Sequence, residues 1–330
     1  MKIAPEMKKE IYRFRLCSLK EDYSHYENAV TQMKKSKEDS LKKQFSDIKT
    51  MMLKKWPNAK YIGYFQAHTN TYAPVEKLKE LHNEILKKEP DLEKYLHLYI
   101  GAEEFIKNKK RWCLWLKNAT PAEMRKSKIL TQKVEAVREF RLSSSAKTTN
   151  GYAKVPHLFA QITQPDDVDY LIVPRVSSER RYYVPIGFLN SNSISSDAVQ
   201  IIPNANLFHF GVLTSLVHMA WMRTVAGRLK SDYRYSKEIV YNTFPWCIPS
   251  EVQKAKIEKT AQAILDARAK YPESSLADLY DETFMPIELR KAHQANDRAV
   301  MEAYGFAKDM TESEIVAELF KMYEKLVEGK

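Results

Sequence analysis

The stretch LFHFGVLTSLVHMAWMRTVAG (207–227) limits the folds open to this chain more than any other. It is apolar on nearly every side, and a helix without a polar face has to be enclosed by other elements. It reads as a buried helix ending at Gly227. Nowhere does the chain run to 18 consecutive apolar residues, so no membrane span is expected. The rest of the chain must therefore build a core around this segment. With 330 residues and 44% hydrophobic content it has the material, and its length suits two or three domains.

Around that helix the periodicities change along the chain. Residues 1–90 are rich in lysine and mostly helical in pattern, with Leu41, Phe45, Ile48, Met52 and Leu53 at helical spacing in DSLKKQFSDIKTMMLKKW (39–56). AKYIGYFQAHTNTYAP is a strand pattern running into a turn at Pro74, and VEKLKELHNEILKKE is a second amphipathic helix. Helix, strand, loop and helix make an incomplete α/β unit, with too few strands to cover both faces of a sheet. From about residue 91, RWCLWL, DYLIVPRV, RRYYVPIGFL and VQIIPN are short β-branched and aromatic runs bounded by turn residues. Between them PAEMRKSKILTQKVEAVREFRLSSS predicts one helix opening with Pro121 in its first turn. The last 80 residues are helical again. A helix starts at a Ser250 cap and stops before Pro272, and Thr311 with Glu314 forms a capping-box pattern. The expected class is α+β, with an incomplete α/β fragment over 1–87, a mixed α/β domain over 88–248 and a helical domain over 249–330.

Charge is distributed unevenly over this plan. Residues 1–250 hold 41 basic and 26 acidic side chains, while residues 251–330 hold 12 and 16. A basic body with an acidic tail points to a polyanionic partner, nucleic acid first. Cys17, Cys113 and Cys247 are far apart and odd in number, which argues for a reducing compartment and against a disulfide framework. The N-terminus has no apolar signal core, so a cytoplasmic protein is expected.

Patterns that carry chemistry are scarce. Eight glycines in the whole chain leave little room for a phosphate-cradling or dinucleotide loop, and neither motif occurs. No His-Glu-x-x-His helix, Cys/His cluster with zinc spacing, or Gly-x-Ser-x-Gly elbow is present. His209 and His218 flank an apolar helix, where packed or capping roles are expected. No catalytic residue and no metal-binding set is identified. Binding features are stronger. VPRVSSERRYYVP (173–185) puts Arg175, Ser177, Ser178, Glu179, Arg180 and Arg181 on a predicted loop between two strands. Arginine can bond guanine bidentately, glutamate can accept from the cytosine amino group, and serine can hold phosphate. A Glu beside an Arg is also a ready-made internal ion pair. In GRLKSDYRYSKEIVYNTFPW (227–246), Arg228, Lys230, Arg234 and Lys237 supply cations, and Tyr233, Tyr235 and Tyr241 supply rigid aromatic surface. The alternative is a junction whose aromatics merely pack.

From about residue 88 onward the chain resembles a known family. FIKNKKRWCLWL, VEAVREFRL, VPRVSSERRYYVPIGFL, IIPNANLFHFGVLTSLVHMAWMR, GRLKSDYRYSKEIVYNTFPW and LADLYDETFMPIELRKAHQANDRAVMEAYGF resemble, in order, the C-terminal part of MmeI-like type IIG/IIL restriction–modification enzymes. In that family a nuclease, a helical spacer and an adenine-N6 methyltransferase precede a target-recognition domain and a helical C-terminal domain. The resemblance implies sequence-specific reading of double-stranded DNA. It implies base-reading positions at Ser177, Ser178, Glu179 and Arg181, with Glu179 and Arg181 favoured. Backbone contacts are expected from Arg175, Arg180, Arg228, Lys230, Tyr233 and Arg234. The Asn-Pro-Pro-Tyr motif and the Gly-bearing S-adenosylmethionine loop of the methyltransferase are missing, as is the nuclease's metal-binding set. The chain is therefore expected to bind no cofactor, S-adenosylmethionine and Mg2+ belonging to the catalytic domains, and to act by itself as a recognition module. The alternative is the specificity part of a split adenine-N6 methyltransferase working in trans with a separate catalytic chain. Residues 39–86 resemble instead an internal piece of a radical S-adenosylmethionine family, without its three-cysteine cluster motif.

Overall fold

The computed structural model describes residues 14–19, 60–65, 86–162 and 164–328, and the chain divides into two compact units, Met1–Tyr72 and Ala73–Lys330. In the first, β1 (Phe14–Leu19) and β2 (Lys60–Phe65) pair antiparallel, Phe14 opposite Phe65 and Leu19 opposite Lys60. The strand expected in AKYIGYF is β2. The strand β1 is additional, and its sequence signal is the alternation of Tyr12, Phe14 and Leu16 with Arg13 and Arg15. The helix expected over 39–56 lies outside the described residues, as does most of the one expected over 75–89, of which 86–88 is helical.

The second unit is α+β. After a 3-10 turn (Pro90–Tyr95) come β3 (Leu96–Ile100), the short helix α1 (Ala102–Ile106) and β4 (Trp112–Leu114). The lysines of KNKKRW are partly engaged here, since Lys107 and Lys109 both pair with Glu103. The helix expected from Pro121 is two, α2 (Pro121–Lys126) and α3 (Lys128–Leu142), followed by α4 (Lys147–Gly151). Ser127 makes the break: its backbone is extended, and its hydroxyl accepts from the Leu130 N–H at 2.9 Å, which caps a new helix.

Strands β5 (Tyr170–Pro174), β6 (Val176–Ser177), β7 (Gly187–Leu189), β8 (Ser193–Ser195) and β9 (Val199–Pro203) complete the middle region. β5 is the centre of an antiparallel sheet between β7 and β9. Its residues are buried throughout, because both faces are covered. Leu171 and Val173 face one core, while Tyr170 and Ile172 face another with Ile100 and Val199. That double cover explains why YLIVP is apolar at every position. A second sheet joins β4 to β3 antiparallel and β3 to β8 parallel.

The apolar segment 207–227 is buried as expected, but as two helices, α5 (Leu207–Leu213) and α6 (Leu216–Val225). Thr214 and Ser215 separate them, and the Ser215 hydroxyl accepts from the His218 N–H. The hairpin strands β10 (Gly227–Leu229) and β11 (Asp232–Arg234) follow, then a π-type turn at Lys237–Tyr241. Helices α7 (Glu251–Ala269), α8 (Leu276–Leu279), α9 (Ile287–Ala303) and α10 (Glu312–Glu328) form the C-terminal part. α7 opens at the expected Ser250 cap, and the Thr311 N–H donates to the Glu314 carboxylate at 2.7 Å as its box requires. One core is built from residues on both sides of position 248. It joins Leu171 and Trp221 to Ile257 and Ile264 of α7, Val300 of α9 and Leu319 of α10. Among the described residues no helix is long and apolar enough to cross a membrane.

The contact of α5 with α7 depends on Gly211. A Cβ there would lie 2.6 Å from the Ile257 Cγ2 and 3.1 Å from the Asn296 Oδ1. Asn296 itself donates to the Gly211 carbonyl at 2.7 Å, so it is not free to retreat. Gly211→Ala is expected to lower stability by about 1–3 kcal/mol through overpacking, against a smaller gain in helix propensity. Urea denaturation measures the result as a lower midpoint at unchanged slope.

Candidate nucleic-acid interface

Two segments separated by some fifty residues meet in one small sheet. β6 pairs antiparallel with β11, Tyr233 opposite Ser177 and Arg234 opposite Val176, and β11 pairs with β10, Arg228 opposite Tyr233. Cross-strand partners share a face. One face therefore carries Arg228, Tyr233 and Ser177, and the other Gly227, Arg234 and Val176. The joint between this sheet and the buried one is Arg175. Its N–H donates to the Ala198 carbonyl, and its own carbonyl accepts from the Tyr235 N–H at 2.8 Å. The candidate surface is thus fixed to the core by backbone hydrogen bonds.

The residues that follow β6 form a tight turn. The Arg181 N–H donates to the Ser178 carbonyl at 3.1 Å, and the Arg180 N–H to the Ser178 hydroxyl at 3.3 Å. Glu179 and Arg180 stand exposed at the tip, and Arg181 is half-buried behind them. Burial pulls the Arg181 guanidinium below the usual arginine range, while Asp232 and Asp281 push it back up. None of Glu179, Arg180, Arg181, Lys230 and Arg234 makes a side-chain hydrogen bond or ion pair among the described residues. The internal Glu–Arg ion pair that the sequence allowed is not formed.

Other predicted residues are committed to structure. Arg175 donates to the Asp197 carbonyl at 2.9 Å. Arg228 donates to the Ser231 carbonyl and stacks over the Tyr233 ring at 3.7 Å, a cation–π contact that leaves its charge at the surface. Lys230 occupies the hairpin tip at φ 58, a left-handed conformation that a non-glycine residue rarely adopts. Three expectations need correction. The segment 175–181 is not wholly loop, because Val176 and Ser177 form a strand. Ser177, expected to read bases, is enclosed by its pairing with Tyr233 at 3% exposure, and its hydroxyl has no hydrogen-bond partner. Tyr233 and Tyr235 offer little aromatic surface. Tyr233 is 9% exposed, and Tyr235 is turned into the core, its hydroxyl 3.0 Å from the His218 Nε2.

The ionisable groups behind the sheet are suited to packing. Burial pushes the His218 imidazole down to about 3, and His209 accepts from the Asn206 N–H at the start of α5. Both histidines occupy the packed and capping roles expected of them. Burial pushes the Cys113 thiol up to about 12 and the Cys247 thiol to about 11, so both remain protonated at neutral pH. Among the described residues no group of three His, Cys, Asp or Glu converges as a metal site would require. Arg223, a cation inside the apolar run, is a residue that pattern reading passes over, and it lies against the turn from behind. Its isolation among apolar neighbours was the available signal.

Residues 69–248 match the family described as MmeI, target recognition domain, and residues 249–329 match MmeI, C-terminal domain. DNA methyltransferase A of Bacillus subtilis (strain 168) is 35% identical over 247 residues, covering 75% of this chain and 28% of that protein. The uncharacterized protein YtqA of the same organism is 56% identical over 48 residues, 14% of this chain and 15% of that protein. A solved structure of the type IIL restriction–modification enzyme MmeI in complex with DNA superposes with a TM-score of 0.72 at 49% identity, covering 76% of this chain and 33% of that one. The chain spans a third or less of the length of these relatives.

Proposed function

The chain belongs to the family of the MmeI target recognition and C-terminal domains, and from that premise we propose that it reads a sequence in double-stranded DNA as part of a restriction–modification system. The observation that carries the reading is the pairing of β6 with β11, which gathers uncommitted charges from two segments on one fixed support. Arg181 and Glu179 are the base readers. A guanidinium can donate two hydrogen bonds to guanine O6 and N7, and a carboxylate can accept from the cytosine amino group. Ser178 shapes their turn and Ser177 supports it from beneath. Arg180, Lys230 and Arg234 hold phosphates, with Arg228 and Arg175 adding charge at the rim. The relative solved with DNA supports the choice of ligand.

On this reading the chain acts in the cytoplasm and binds neither S-adenosylmethionine nor Mg2+ itself. Methyl transfer and cleavage would come from separate catalytic domains, joined to these two in one polypeptide or carried by a partner chain. The test is anisotropy of the full chain with a randomised duplex pool, followed by sequencing of the retained DNA. Enrichment of one short motif supports the reading, and retention without enrichment sinks it. In the same assay Arg181→Ala should flatten the preference at one base pair by about 1–3 kcal/mol. Arg234→Ala should weaken all sequences alike and reduce the salt slope by about 1.

A further inference from the structure

We infer that Glu312 and Asp297, both in the C-terminal helices, are positioning residues that set the sequence selectivity of the turn 178–181. The inference rests on the recognition reading above and deepens it. The turn's upstream end is held by the pairing of β6 with β11. Its downstream end is held by the two residues that follow Arg181: Tyr182 is gripped by α6, whose arginine is braced from α10, and Tyr183 is gripped from α9. Arg223 of α6 donates from Nη1 to the Tyr182 carbonyl at 2.9 Å, with its guanidinium 5.2 Å from the Tyr182 ring centre. The remaining arm of that guanidinium is bidentate to Glu312, Nε to Oε1 at 2.6 Å and Nη2 to Oε2 at 2.9 Å. This fork geometry fixes the plane of the guanidinium, and so the direction from which it holds the Tyr182 carbonyl.

Tyr183 is held separately. Its ring stacks on His293 of α9 at 4.0 Å, and its hydroxyl donates to the Asp297 Oδ2 at 2.6 Å. The other oxygen of Asp297 accepts from the Leu216 N–H at the start of α6, at 2.7 Å. One buried carboxylate therefore joins the segment after the turn to both α6 and α9. Burial raises its pKa only to about 6, so it is an acceptor on both sides at neutral pH. A base reader must be held within a fraction of an ångström to favour one base over another. Within the turn, one backbone hydrogen bond from the Arg181 N–H to the Ser178 carbonyl is the local restraint on Arg181. The C-terminal helices supply that precision by holding the segment that follows the turn.

The test uses the full chain with Glu312→Ala and, as a milder second probe, Tyr183→Phe, which removes only the hydroxyl facing Asp297. Two quantities are read. One is hydrogen exchange of the amides of residues 178–183. The other is the ratio of affinities for the duplex selected by the wild-type chain and for a scrambled duplex. Both variants are expected to speed exchange in 178–183 and to lower the ratio by roughly 2- to 30-fold. Affinity for the scrambled duplex should hold, a pattern that general damage to the fold would not give. Unchanged exchange in 178–183 overturns the inference, as does a preserved ratio, or equal loss of both affinities. A wild-type chain that selects no sequence sinks the recognition reading instead, and the exchange arm then decides the clamp alone.

Discussion

Raising monovalent salt from 50 to 200 mM is expected to weaken duplex binding by about 500-fold. The figure follows from counting cations on the sheet and its turn. Arg175, Arg180, Arg228, Lys230 and Arg234 carry charge that no carboxylate cancels in a direct ion pair among the described residues. Arg175 and Arg228 each spend a donor on a carbonyl, but a carbonyl bond leaves the charge in place. Each phosphate neutralised lowers the slope of log K against log salt by about 0.9, so five contacts give about −4.5 over a four-fold change in salt. The measurement is a titration of one duplex at several salt concentrations. A slope near −1 would mean that the charges do not act together, and the proposed surface would fall. A slope near −4.5 that drops by about 1 in Arg234→Ala would place this strand on the phosphates.

That surface was only partly visible in the sequence, and the reason is geometric. Residues 176–177 and 233–234 are neighbours through strand pairing, and no local pattern in either segment names its partner. The cations were legible as candidates because charge is a property of the residue. Burial of the tyrosines was harder to see, although DYRYSK carries the signal. In an extended strand Tyr233 and Tyr235 face one way and Arg234 the other, so a sheet with one covered face takes both rings inward. The same segment read as interleaved cations and aromatics suggests an open surface, and only the covering by α6 decides between them. Buried runs were the easiest to read, because YLIVP and the segment 207–227 have no polar face to offer water. Their interruptions were not. Ser127 ends one helix and caps the next, and Ser215, following the Thr214 that ends α5, caps α6, a contest between side chain and backbone that depends on a hydroxyl reaching one N–H. The clamp on Tyr182 and Tyr183 was invisible for a further reason. Its partners are remote in sequence, Asp297 lying 114 residues from Tyr183, and Glu312 and Asp297 look like ordinary charges of an acidic tail.

The largest loss of stability is expected from Trp221→Ala, about 3–5 kcal/mol. Trp221 is 1% exposed at the middle of α6 and is among the largest fully buried side chains. It joins three parts of the unit that are distant in sequence. Its Nε1 donates to the Val240 carbonyl at 3.2 Å, which anchors the π-type turn just after β11. Its ring lies 5.0 Å from Phe320 and 6.0 Å from Tyr323, so it also seats α10. Truncation removes that apolar contact, leaves a cavity, and strands a buried carbonyl without its donor. For a domain whose whole stability is on the order of 5–15 kcal/mol, such a loss is a large share. Trp221→Phe keeps most of the ring packing and loses the hydrogen bond, and should cost no more than about half as much. Guanidinium denaturation of both variants separates the two contributions. Because the same side chain braces the turn that follows the Arg234 strand and the helix that carries Glu312, Trp221→Ala should also lower affinity for selected and scrambled duplex together. Glu312→Ala is expected instead to lower selectivity at constant scrambled-duplex affinity. If Trp221→Ala leaves the denaturation midpoint within error of the wild type, α6 is not the centre of this core, and the shared packing described for β5, α6 and α10 is wrong.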